Sequence, residues 1–438
     1  MGEKTKSPNE LLPHLFRLEY SKMTAVLCRH FGLKHIEIAE DIASETFLKA
    51  SEVWSTDGLP ENPTAWLYTV AKNETKDYLK RLTIFETKIK ETIKTNEFLR
   101  ARYLEQSELD FSHSDTFVDF TQQTISDSQL AMIFAVCNPA ISTETQICLA
   151  LQILCGFSVE EIADAFLAKT ETIKKRLLRA RAKLRSDNFQ IKVLQEATIR
   201  LRLDAVLRTL YLLFNEGYFS KSNNNLIRKD LCSEAIRLAL ILTEDQLTNT
   251  PKTNALLALM CFQSSRFDAR INDTGKAILF EQQDKNLWDK ELIEKGNYYL
   301  VNACSGNENS PGEFVTKYHL EAAIAYWHTT PTDKNKWEHI LELYNHLILI
   351  EYSPMTALNR TFAFAKVYGN ERAIKETEKL NLNENNYYHT LLGYLYADTD
   401  VGKAIAHYNN AISYTKSKTE KKTLMKEIER LNKKRNSS

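Results

Sequence analysis

The chemistry this sequence most openly prepares is the neutralisation of a polyanion. Between Lys169 and Arg185 stand eight basic residues, Lys169, Lys174, Lys175, Arg176, Arg179, Arg181, Lys183 and Arg185, against one acid, Glu171. A net charge of +7 over seventeen residues is the concentrated field that phosphate binding requires. Within the same segment Ile173, Leu177, Ala180 and Leu184 recur at helical spacing and share one narrow arc, which makes them the buried stripe of a helix. The opposite face then carries Glu171, Lys175, Leu178, Arg179, Ala182 and Arg185, with Lys174 and Arg176 on its flanks. Thr170 opens the helix, so Thr170, Glu171, Lys174, Lys175, Arg176 and Arg179 are the candidate contacts to nucleic acid. An amphipathic helix whose cations merely keep it solvated would have the same pattern. The element in front of it separates the two readings.

That element begins at Phe157-Ser158-Val159-Glu160-Glu161-Ile162-Ala163-Asp164-Ala165-Phe166. Ser158 and Glu161 have the spacing of a capping box, in which each side chain serves the other's backbone amide, so a helix starts there. Ile162, Ala163 and Phe166 give it an apolar face, Leu167-Ala168-Lys169 makes a short connection, and the basic helix follows. Two short helices joined in this way form a helix-turn-helix, whose second helix enters a DNA groove.

A second candidate surface lies at Asn62 to Arg81. Asn62 is suited to cap a helix and Pro63 to occupy its first position. Trp66, Leu67, Val70 and Tyr78 lie broadly on one side, and Thr69, Lys72, Asn73, Lys76 and Lys80 line the other. A basic, polar face beside aromatic residues suits phosphates and unstacked bases, although an ordinary surface helix would share it.

Chemistry of other kinds finds no frame. The ten histidines are scattered without H-E-x-x-H or paired-ligand spacing, and G-x-x-x-x-G-K, G-x-G-x-x-G and G-x-S-x-G are missing. Neither an enzymatic role nor a cofactor is expected. Asn215-Glu216-Gly217-Tyr218 holds a carboxylate, but it reads as a polar helix end with Gly217 as its stop. The seven cysteines, Cys28, Cys137, Cys148, Cys155, Cys232, Cys261 and Cys304, are odd in number and lack a C-x-x-C pair. Reduced core residues are the expectation, with neither disulfides nor a metal site.

The elements that must position these residues are helices. The 438-residue chain has only 12 glycines and 9 prolines, and Leu, Ala, Lys, Glu and Ile recur at helical spacing. The predicted class is all-α, with more than one domain at this length. Breaks at Gly32, at Asp57-Gly58-Leu59-Pro60, at Asn138-Pro139 and at Gly156 divide the first part. We expect a helical domain over residues 10–85, a polar linker over 86–125, a helix-turn-helix domain over 126–187 and a long train of amphipathic helices over 188–438. In that train Leu392-Gly393, Tyr396, Ala404, Tyr408 and Ala411 follow the small and large alternation of a tetratricopeptide repeat, with a less regular copy around Ala357, Ala363 and Ala373. No apolar run is long enough to cross a bilayer and Met1 to Asn9 is polar, so no membrane contact and a cytoplasmic location are expected. The formal net charge of zero adds nothing about partners.

Three blocks in order, Asp41-Ile42-Ala43-Ser44-Glu45-Thr46-Phe47-Leu48-Lys49-Ala50, then Trp66-Leu67-Tyr68-Thr69-Val70-Ala71-Lys72-Asn73, then the helix-turn-helix ending at Arg185, resemble those of extracytoplasmic-function sigma factors. The resemblance implies two promoter-reading domains and, as partners, promoter DNA and core RNA polymerase through its β′ clamp and β flap. It implies that Asp41, Glu45 and Lys49 touch polymerase. Lys72, Asn73, Lys76 and Lys80 would lie along promoter DNA at the minus-ten element, the loop Thr56 to Glu61 would hold a flipped base, and the basic helix would read the minus-thirty-five element. Ser44 stands where that family usually has Gln. Phe134 to Ala140, Leu210 to Tyr218, Asp230 to Leu238 and Leu358-Asn359-Arg360 resemble the subgroup with a C-terminal tetratricopeptide-like extension, although Asn138 stands where that subgroup usually has His. A protein partner for the repeats and modulation of activity by them follow as expectations. A repeat scaffold that only binds proteins, or a helix-turn-helix regulator acting without polymerase, are the other readings open to these residues.

Overall fold

The computed structural model describes residues 8–93, 118–187, 189, 191–218, 228–270, 278, 282–305, 315–329, 333–415 and 417–436. Among these residues the chain is all-α, with nineteen α-helices and no strand. It divides into two compact units, Met1–Leu213 and Phe214–Ser438.

The first unit opens with α1 (Pro8–Phe31), α2 (Ile36–Asp57) and α3 (Pro63–Ile93). Gly32 and Gly58 separate them in the left-handed region, at φ 89° and 82°, where a side chain would be strained. Asn62 caps α3, its Oδ1 accepting from the Ala65 amide at 3.0 Å. Met23, Leu27, Ile36, Trp54 and Leu67 are fully enclosed, each stabilising the unit by roughly 1.5–3 kcal/mol. The Trp66 indole meets Trp54 edge to face at 5.4 Å, tying α3 to α2. Tyr68 donates to the buried Glu19 carboxylate at 2.6 Å, and Lys22 pairs with the same group at 3.1 Å. Burial, and then the Glu19 charge, hold the Tyr68 phenol far above its ordinary range.

The unit continues with α4 (Gln122–Val136), α5 (Thr143–Leu149) with a π turn over Ala150–Leu154, α6 (Val159–Ala165), α7 (Thr170–Ser186) and α8 (Glu196–Tyr218), whose residues through Leu213 belong to it. Most of the expected linker, residues 94–117, lies outside the described residues; its first part, through Ile93, continues α3. The buried Asn138 organises the chain around it. Its Nδ2 donates to Asp187 at 2.6 Å, its Oδ1 accepts from the Ala140 amide, and its carbonyl accepts from Gln146. Arg202 of α8 closes the knot on Asp187 at 2.9 Å and on the Phe134 carbonyl at 3.1 Å, while Thr209 donates to Gln146 at 2.6 Å.

In the second unit α9 (Lys229–Thr243) packs on α10 (Pro251–Ser264), whose sides are nearly all buried against it, α12 (Lys290–Cys304) and α13 (Lys317–Thr329); α11 (Phe267–Arg270) is one turn. From there α14 (Lys336–Ile350), α15 (Pro354–Tyr368), α16 (Asn370–Glu378), α17 (Asn386–Tyr396), α18 (Val401–Tyr414) and α19 (Lys418–Asn436) each pack on their neighbours in chain order, a repeat-like train. Small residues sit where helices approach most closely. A Cβ on Gly393 would lie 2.7 Å from the Tyr408 ring, and one on Gly296 would lie 2.6 Å from Phe262. Ala357, Ala363, Ala373, Ala404 and Ala411 are buried.

Two sequence expectations are corrected here. Gly217 is not a helix stop: it is helical, without positive φ, and a Cβ there would lie 2.7 Å from the Cys232 sulfur and 2.8 Å from the Arg228 carbonyl. Its smallness serves the approach of the chain entering α9. Among the cysteines, six are buried but Cys304, at the last position of α12, is exposed. Burial pushes the Cys137, Cys232 and Cys261 thiols up to about 12.

Candidate nucleic-acid interface

The helix-turn-helix is α6 and α7. The capping box is complete: the Glu161 amide donates to Ser158 Oγ at 3.1 Å and the Ser158 amide to Glu161 Oε2 at 2.8 Å. The connection turns at Leu167, which adopts φ 49° and lies exposed. A branched side chain at positive φ costs of order 1 kcal/mol, held here by the packing of the helices on either side. Ile162, Ala163 and Ala165 face inward from α6, and Ile173, Leu177, Ala180 and Leu184 are the buried residues of α7.

That stripe orients the rest of α7. Glu171, Lys174, Lys175, Leu178 and Arg179 are exposed, and Thr170 is half-buried at the start. Leu178, at 66% exposure, is an apolar residue amid the cations, of a kind that suits contact with a thymine methyl. Arg176 is partly turned aside, pairing with Glu144 at 3.3 Å.

The C-terminal half of the helix is occupied otherwise. Arg181 makes a bidentate pair with Glu40 of α2, both oxygens at 2.7 Å, and also donates to Gln152. Burial alone would lower the Arg181 guanidinium, yet the Glu40 carboxylate, with Glu37 and Tyr20 beyond it, holds it above the ordinary arginine value. Arg185, expected on the outward face, pairs with Glu37 and is half-buried. The correction has a simple cause: a second wall of protein, α2, stands where helical periodicity alone assumes solvent. Sequence reasoning missed this pairing, although its signal was present. Glu37 and Glu40 are three apart on one helix, Arg181 and Arg185 four apart on another, and each spacing brings like charges to one side.

Asp41 and Glu45, one turn apart on α2, are exposed, with Ser44 and Leu48 beside them. Lys49 differs, since it pairs with Glu74 of α3, which holds its ammonium above the ordinary lysine value. On α3 Thr69, Asn73, Lys76 and Lys80 are exposed and Lys72 is half-buried, while Leu67, Ala71, Thr75 and Leu79 face the core. Lys80 approaches Asp77 at 3.8 Å with both side chains open to solvent, a pair worth little by itself. The structure thus places Asp41 and Glu45 on one exposed helix face, the α3 cations on another, and the α7 cations on a third. The loop from Gly58 to Glu61 joins α2 to α3, and Thr56 and Asp57 are the last residues of α2.

Comparison with known proteins adds identity to this geometry. Residues 15–83, covering α2 and most of α1 and α3, match sigma-70 region 2, and residues 202–304 match a family of unknown function (DUF6596). The uncharacterized protein R00370 of Rhizobium meliloti (strain 1021) is 32% identical over 397 residues, spanning 88% of this chain and 89% of that protein. The chain belongs to the same family as that protein, and its N-terminal module is a sigma-70 region 2. Such a region is the mark of sigma factors, transcription factors and not enzymes, and implies interaction with core RNA polymerase and promoter DNA. No solved structure matches. Among the described residues no helix is long and apolar enough to cross a membrane.

Proposed function

We propose that this chain is a cytoplasmic sigma factor of the extracytoplasmic-function type, which docks on core RNA polymerase and directs it to promoters. One observation carries the reading: a sigma-70 region 2 is followed in the same unit by a helix-turn-helix whose second helix buries Ile173, Leu177, Ala180 and Leu184 and exposes Lys174, Lys175 and Arg179. In this reading Asp41 and Glu45 meet the polymerase clamp, with Lys49 braced on Glu74 behind them. Asn73, Lys76 and Lys80, with Lys72, follow the backbone of minus-ten DNA. Thr170, Glu171, Lys174, Lys175, Arg176 and Arg179 read the minus-thirty-five element in the major groove, where cations neutralise phosphates and Arg or Lys donates to guanine. The protein does no bond chemistry of its own. The second unit is a tetratricopeptide-like extension that modulates activity through a protein partner, supported by its sequential helix packing and by the close approach of Gly393 to Tyr408.

The test is transcription in a purified system of core polymerase, the full chain and a promoter library. Enrichment of a two-element promoter class that depends on the added chain is the expected result. If transcripts match those of core polymerase alone, the reading fails.

A further inference from the structure

We propose that the outer face of α19, lined by Lys422, Lys426, Arg430 and Lys433, binds duplex DNA through its phosphates and without sequence preference. The inference goes beyond the promoter-reading function and gives the second unit a nucleic-acid contact of its own.

The charge is concentrated and it has a direction. Residues 416–436 carry nine lysines and arginines against three acids, a net charge of +6, in a chain whose formal net charge is zero. Leu424 and Leu431 are buried with Ala404, Tyr408 and Ala411 of α18, and Ile428 packs beside them. That stripe turns Lys422, Lys426, Arg430 and Lys433 outward, and all four are exposed. At about 100° and 1.5 Å per residue they share an arc of about 80° along about 16 Å of helix. The acids do not match them. Glu420 is turned toward α17, accepting from Asn386 and Tyr387 at 3.2 Å each and also from Thr415. Glu427 pairs with Arg430 at 2.9 Å on the edge of the face, which leaves Glu429 as its exposed acid.

Charge decides the occupant. Closing a stack of helices requires a polar outer face, not one of a single sign. Like charges at i, i+4, as in Lys422 with Lys426 and Lys426 with Arg430, weaken a helix rather than support it. A polyanion turns that repulsion into affinity, and a duplex carries about nine phosphates over the ~16 Å that the face spans. An acidic protein is the poorer match, because lysine is depleted from the cores of protein interfaces and residues 418–436 contain no aromatic residue to anchor one. Lysine, a compact charge on a flexible stem, neutralises phosphate without fixing a base, so the contact carries no sequence information.

The experiment uses the full chain carrying Lys175→Ala/Arg179→Ala, which weakens α7 and lets α19 be read. To it is added either Lys422→Gln/Lys426→Gln or, as a charge-matched control at exposed positions of α16, Lys375→Gln/Lys379→Gln. Binding to a mixed-sequence duplex of about 40 base pairs is titrated between about 0.05 and 0.2 M salt. The expected result for the α19 variant is a salt slope reduced by about two and an affinity at about 0.1 M salt lower by about tenfold or more. The α16 control should change neither, and Lys422→Arg/Lys426→Arg, which keeps both charges, should bind as its parent does. Equal losses in the α19 and α16 variants would assign the effect to net charge and overturn the proposal. So would an unchanged slope in the α19 variant, or no binding at all by the α7-weakened chain. Unchanged DNA binding with weakened affinity for core polymerase would make the face a protein-docking surface instead, and overturns the DNA assignment. Failure of α7 as the reader is told apart, since it shows as equal binding by the natural and α7-weakened chains, while the α19 comparison is made within one background.

Discussion

Cations of one helix have two fates here, decided by what stands opposite. Lys174, Lys175 and Arg179 project into solvent, whereas Arg181 and Arg185 meet Glu40 and Glu37. Periodicity identified the buried stripe of α7 residue for residue, because apolar spacing records burial against any neighbour. It could not assign Arg185, because a charge gives no sign in sequence of whether its partner is phosphate, water or a carboxylate 148 residues away. We expect Lys175→Ala and Arg179→Ala each to weaken promoter binding without changing the fold. A lost phosphate contact lowers the salt slope by about one, and a lost base contact costs roughly 1–3 kcal/mol at one position. Binding titrations at several salt concentrations read both, and unaltered binding in each variant would remove α7 as the reader. On α2, Asp41→Ala with Glu45→Ala should reduce affinity for core polymerase while leaving the melting temperature nearly unchanged, since exposed charges contribute little to stability but orient docking. Equal polymerase affinity in a titration would end the case for this surface.

At the scale of elements, the caps were the most legible features. Asn62, Ser158 and Glu161 make the bonds their spacing predicts, because a capping interaction is local and needs no tertiary context. Gly217 was misread for the complementary reason: a glycine that ends a helix and one that admits a neighbouring chain look alike until the neighbour, here Cys232, is in place. The reach of α8 was also hidden. Its residues through Leu213 belong with the helix-turn-helix, where Arg202 holds Asp187 and the Phe134 carbonyl and Thr209 holds Gln146. A chain ending at Asp187 loses those partners and leaves buried acceptors unpaired, at about 1–3 kcal/mol each. Residues 1–187 should therefore melt about 10 °C below residues 1–218. Thermal unfolding by circular dichroism checks this, and coincident transitions would show that α8 is dispensable to the first unit.

The whole molecule raises the question of why a promoter-reading unit carries a second one of comparable size, residues 214–438. Sequence made the helical train visible through its repeated small residues, but a repeat pattern specifies how helices stack and not what they bind. An extension influences initiation only through a difference in its contact energy between states of the first unit or of polymerase; equal contact in all states shifts nothing. The free and polymerase-bound forms of the first unit are two such states, so even a weak preference has something to act on. A difference of about 1.4 kcal/mol changes their ratio tenfold. Residues 1–218 retain α8 whole and keep every named contact of the first unit, which makes this the informative truncation, in place of one at Asp187. We expect its transcription in the purified polymerase system to differ from that of the full chain by about threefold or more, upward if the extension favours the free form and downward if it favours the polymerase-bound one. Equal output from the truncated and full chains, in the purified system and in cells, would leave the extension without a role in initiation.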